Sequence, residues 1–179
     1  MEATKSAAGE RMNKMLRIAT LCAALSLAGC AGPIFKQAPL VGDPVATVTG
    51  KMGQPTSVYP APGGGQLFEY ATAPFGQFTW MAHIGPDGRL VSYEQVLTGE
   101  KFATLKIDQA TKADVLRTIG RPAEQSRVAL HNYEVWSYRY KEASVWNSLM
   151  HVHFDEQGVV RQMMNGPDPM FDVRDRRGW

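Results

Sequence analysis

Apolar positions fall in two unlike patterns along this 179-residue chain. The first is continuous: Ile18 to Leu27 carry no charge and follow the basic stretch Met12-Asn13-Lys14-Met15-Leu16-Arg17, the charged-then-apolar order of a secretory signal. The run holds roughly 10 to 12 apolar residues against the roughly 20 that a spanning helix needs, which disfavours a transmembrane anchor. Glu2 and Glu10 ahead of the basic stretch are unusual for such a signal and put the expected start of translation at Met12 or Met15.

The second pattern begins at residue 43 and is periodic. Asp43-Pro44-Val45 leads into Val48, Met52 and Gly53-Gln54-Pro55, and Thr111-Lys112-Ala113-Asp114 leads into Val115, Leu116, Ile119 and Gly120-Arg121-Pro122. Both predict short helices with a glycine-then-proline stop. Thr111 and Asp114 have capping-box spacing, in which side chains satisfy the free amides of a helix's first turn. After each helix the period changes to two. Phe68 and Tyr70 match Trp136 and Tyr138, each pair on one face of a strand. A second strand follows at Phe78 to Ile84 and at Ser148 to Phe154. Turns at Pro86-Asp87-Gly88 and Glu156-Gln157-Gly158 lead into third strands starting at Leu90-Val91 and Val159-Val160.

These matches predict an α+β fold built from two repeats, each a short helix and a three-stranded antiparallel meander, with helices packed on the sheets. The first repeat is expected over 43–98 and the second over 104–166. One copy could cover only one face of its sheet, so the second is expected to complete the core. The alternative is a single irregular α+β domain whose halves are alike by chance. Ala31 to Gly42, with two prolines and no period, reads as a flexible tether that places the fold about 20 Å from its point of attachment. Residues 167–179 read as a mobile tail.

Leu27-Ala28-Gly29-Cys30 closes the apolar run with two small residues and a cysteine, and so resembles the lipobox of bacterial lipoproteins. That resemblance implies removal of residues 1–29 as a signal peptide and a covalent lipid at Cys30, leaving 30–42 as a lipidated tether. Each buried methylene contributes about 0.8 kcal/mol, and two or more chains hold where one would not. A cleaved signal without lipid, with Cys30 an incidental thiol, is the alternative. Of 19 basic and 17 acidic residues, Lys5, Arg11, Lys14, Arg17, Glu2 and Glu10 leave with the signal, so 15 of each sign remain. A neutral chain without a basic stripe argues against nucleic acid as a partner. With Cys22 in the signal and Cys30 alkylated, no thiol is left for disulfide, metal or catalysis.

Thr111 to Leu116 with Ile119-Gly120-Arg121-Pro122, Trp136-Ser137-Tyr138, and Val152-His153-Phe154-Asp155 through Gly158-Val159-Val160 together resemble the SmpA/OmlA (BamE-like) outer-membrane lipoprotein family. The resemblance covers the second repeat well and the first weakly, and the tandem arrangement departs from the family's single domain. It implies a non-enzymatic interaction module at the periplasmic face of the outer membrane, with protein partners in outer-membrane protein assembly or a role in envelope integrity. Ala31 after the lipidated position is similar to what outer-membrane lipoproteins carry. A second reading, an inhibitor or sensor that binds a periplasmic hydrolase, follows from the similar two-repeat build of the β-lactamase-inhibitory proteins.

Chemistry is sparse. There is no glycine-flanked serine elbow, phosphate-binding loop or cysteine pair, and Gly63-Gly64-Gly65 reads as a loop. No catalytic residue, cofactor or metal is expected. The candidates for a metal site are His151 and His153, two apart and so on one strand face, with His83 at the matching place of the first repeat and Asp155 in line. Alternation puts Met150, Val152 and Phe154 on the apolar face, which leaves the histidines on the solvent side of a half-buried sheet.

Overall fold

A computed structural model describes residues 37–171; the expected signal peptide, Cys30, the first part of the tether and residues 172–179 lie outside them. The first half runs α1 (Val45–Met52), β1 (Ser57–Pro60), β2 (Gln66–Ala71), β3 (Thr79–Ile84) and β4 (Leu90–Gln95). Next come α2 (Gly99–Thr104), α3 (Lys112–Ile119), β5 (Glu124–Val128), β6 (Tyr133–Glu142), β7 (Trp146–Phe154) and β8 (Val160–Pro167). Short 3-10 turns cover Leu130–Asn132 and Pro169–Phe171.

The chain is α+β, with two antiparallel sheets ordered β1-β2-β3-β4 and β5-β6-β7-β8. Each meander therefore has four strands rather than the expected three. The additional strands, β1 and β5, are sheet edges; β1 is only four residues long and every residue of β5 is exposed, so neither carries an apolar period in the sequence. Helix α2 was likewise not expected; it occupies the stretch between the two expected repeats, capped by the Thr98 side chain accepting from the Lys101 amide.

Matching backbone contacts recur in the two halves. Pro44 bridges Arg89 as Thr111 bridges Val159. The Val45 amide donates to Gly88 O at 2.9 Å and the Lys112 amide to Gly158 O at 3.0 Å. Both sheets shift register at a bulge, between His83 and Ile84 and between His153 and Phe154. The helix starts differ: α3 has the complete Thr111/Asp114 capping box, whereas α1 begins after Pro44 with no side-chain cap.

Two apolar cores form, one per half. Val48 of α1 packs on Phe68, Tyr70, Ala82, Ile84 and Leu90. Phe102 of α2 with Val115 and Ile119 of α3 packs on Trp136, Tyr138, Tyr140, Val152, Phe154 and Val160. The other face of the first sheet meets α2, α3 and the residues after α3: Lys101 pairs with Glu94 at 2.8 Å, and the Arg121 amide donates to Glu69 at 3.1 Å. The second half's helices thus serve both sheets.

Both expected flexible ends are partly anchored. In the tether, Pro39 is buried and the Gly42 amide donates to Leu90 O at 2.8 Å. The tail expected from residue 167 begins in ordered structure: Pro167 belongs to β8, and buried Asp168 pairs with Arg139.

Candidate functional site

The loop 72–78 between β2 and β3 is closed on itself by Thr72, whose amide donates to Phe78 O at 2.9 Å while its hydroxyl oxygen accepts from the Phe78 amide at 3.0 Å. On the second sheet, β6 turns into β7 through Ala143 and Ser144, both in the left-handed region at φ 47° and 62°. Arg139 Nε donates to Pro74 O at 3.1 Å and Gln77 Nε2 to Asn147 Oδ1 at 3.0 Å, so the two turns are held together at one end of the molecule. Asp168 reinforces the junction by pairing with Arg139 and donating its amide to Asn147 O at 3.0 Å.

On that polar scaffold the apolar side chains point outward. Phe75 is 71% exposed, Trp146 69%, Val145 65% and Phe78 43%. Scattered apolar residues are normal on a protein surface, but here four large ones stand on or beside two turns that hydrogen bonds tie together, an arrangement of the kind that marks an interaction site. Phe75 and Val145 sit in turns, where neither helix nor strand periodicity applies. Their proximity depends on hydrogen bonds between residues more than 60 positions apart.

Among the described residues, two clefts of mixed polar and apolar lining lie between the halves. One, of about 380 Å³, is lined by Met81, His83, Glu94, Lys101, Arg117 and Thr118 among others; its cations are already engaged, Lys101 by Glu94 and Arg117 by Asp114. His83 Nε2 is buried without a hydrogen-bond partner. The other, of about 270 Å³, opens beside Glu69 and Arg121. Glu69 is fully buried and accepts from Tyr59 Oη at 2.5 Å and from the Arg121 amide at 3.1 Å. Burial and the neighbouring carboxylate raise the Tyr59 phenol above its ordinary range, so it remains a donor. Gly120 fits against this carboxylate because a Cβ there would stand 3.0 Å from Glu69, and Tyr138 Oη donates to Gly120 O at 3.1 Å. The network is a polar seam between the halves.

The histidines do not all stand on a solvent face. His83 lies on the side of the first sheet that meets α2 and α3. His153 is buried, with its ring edge-on to Tyr133, and burial followed by the nearby His151 lowers its pKa. His151 is half-buried, its Nδ1 2.8 Å from Ser137 Oγ. Asp155 is committed to its turn, where it accepts from the Gln157 and Val159 amides and from Arg161. Among the described residues, no three His, Cys, Asp or Glu side chains group so as to hold a metal ion. No helix among them is long and apolar enough to cross a membrane.

Comparison with protein-family models gives no match, and comparison with curated proteins gives none. Among solved structures, a cysteine-rich secretory protein from Staphylococcus aureus aligns at 20% identity over 73% of this chain, with a TM-score of 0.27. The aligned part covers 44% of that protein, and so low a score carries no inference about fold or function.

Proposed function

We propose that this chain is a lipid-anchored lipoprotein of the SmpA/OmlA (BamE-like) kind on the periplasmic face of the outer membrane. It acts without catalysis, as an interaction module in β-barrel protein assembly or envelope integrity. The observation that carries the reading is the exposed apolar end built from Phe75, Phe78, Val145 and Trp146. An apolar end left in water has a cost that a partner removes, and aromatic side chains supply most of the energy in such contacts. Anchorage is supported by the lipobox ending at Cys30, and the outer membrane by Ala31 after it.

The test is a photo-crosslinking residue placed at Trp146 in intact cells. Capture of barrel-assembly subunits is the expected result; capture of a soluble periplasmic hydrolase would replace this reading with the inhibitor or sensor one. Trp146→Ser with Phe75→Ser should reduce assembled porin and admit large antibiotics while leaving the amount and folding of the protein unchanged. Normal porin and permeability in that variant would overturn the role. Cys30→Ser should release the protein from the membrane fraction.

A further inference from the structure

The face of the second sheet turned away from α3 brings Met164 of one strand beside two histidines that stand two apart on its neighbour. β7 places His151 and His153 on that face, and the register of β8 sets Met164 directly opposite His151 and Gln162 opposite His153. Met164 is 49% exposed, so its thioether is free of the core. Directly opposed side chains in an antiparallel pair have Cβ atoms about 4.5 to 5.5 Å apart, and positions two apart on one strand are separated by about 6.6 Å.

The imidazole of His151 is already oriented. Its Nδ1 lies 2.8 Å from Ser137 Oγ, on the β6 side of the strand. Nε2 sits across the ring from Nδ1, so that bond turns Nε2 away from β6 toward the β8 side, where Met164 stands. This is the common arrangement of a ligating histidine, one nitrogen fixed by a neighbour and the other presented to the ion. We propose that His151 Nε2, Met164 Sδ and the His153 imidazole form a binding site for monovalent copper.

Donor chemistry selects the ion. A neutral thioether beside imidazoles suits soft Cu(I), whereas zinc prefers imidazole, thiolate and carboxylate in a four-ligand set. Arg139, two residues along β6 from Ser137, is occupied by Asp168 and by Pro74 O and brings no free cation to the site. At the matching positions of the first sheet stand Met81, His83 and Glu94, on the side facing α2 and α3, so a histidine pair with an exposed methionine opposite belongs to the second half alone.

The experiment is an anaerobic competition between the full chain and a chromogenic Cu(I) chelator. Cys22→Ser and Cys30→Ser are introduced so that no thiol competes. One equivalent of Cu(I) should move from chelator to protein. Met164→Leu, an exposed replacement of similar volume, should weaken binding at least about tenfold, equivalent to roughly 1.4 kcal/mol. His151→Gln should weaken it comparably, with circular dichroism verifying the fold. Cu(I) is diamagnetic, so methyl NMR can read all nine methionines at once; the Met164 methyl should shift most. No transfer of Cu(I), unchanged affinity in Met164→Leu, or the largest shift at another methionine would each overturn the site. Zinc at the same concentration should leave the Met164 methyl unmoved; a zinc-induced shift equal to that from Cu(I) would overturn the assignment of the ion.

Discussion

Glu69 shows how much a single buried side chain decides here. Its carboxylate lies at the seam between the halves with Tyr59 and the Arg121 amide as donors. Tyr59→Phe removes one donor from a buried charge and should lower unfolding stability by about 1 to 3 kcal/mol, read from the urea midpoint. His153 sets a pH dependence. Its folded pKa lies below the ordinary 6.5, chiefly through burial, so below about 6.5 the unfolded chain takes up more protons than the folded one. Stability contributed by the neutral imidazole is complete above that pH and is lost as the pH falls toward the folded value. Urea unfolding between pH 7 and 5 should show the decline, and His153→Gln should flatten it. Asp114 and Glu134, both lowered by hydrogen-bonded partners, add a further loss at more acidic pH, below their ordinary 3.8 and 4.5.

At the scale of elements, α3 and the β6–β7 turn contrast. The Thr111/Asp114 box could be read from residue spacing because capping is a local interaction spanning three residues, and it forms as expected. Thr111→Ala should cost about 1 kcal/mol in urea unfolding. The β6–β7 turn gave no such signal: Ala143 and Ser144 take left-handed conformations that glycine or asparagine normally fills. Ser144→Gly should therefore stabilise the chain by about 1 kcal/mol, measured the same way. Strands β2 to β4 and β6 to β8 and helices α1 and α3 were legible from apolar period and turn glycines, whereas β1 and β5 were not, because β1 is four residues long and β5 is wholly exposed, so backbone pairing rather than an apolar period defines them.

For the whole molecule, α2 and α3 matter most, since they pack into the second core and also meet the outer face of the first sheet. Phe102, which meets Tyr138 and Tyr140 edge-on at 6.1 and 5.0 Å, is the anchor of that layer. Phe102→Ala should cost about 3 to 5 kcal/mol of unfolding free energy. Amide exchange should then accelerate in β2 and β3 as well as in β6 and β7, because loosening the shared helical layer exposes both sheets. Unchanged exchange in the first sheet would show that the two cores open independently.

The sequence by itself determined what depends on near neighbours: two helices with their glycine stops, the aromatic strand faces and the glycine-bearing hairpins. It also carried the match between the halves, because equivalent residues recur at nearly constant spacing. Tertiary structure alone decided which faces meet. It covered His83, set Met164 opposite His151, drew Phe75 and Trp146 to one end, and placed Glu69 where a backbone amide 52 residues away completes its hydrogen bonding. Strand register and sheet stacking join positions far apart along the chain, and no local period encodes that distance.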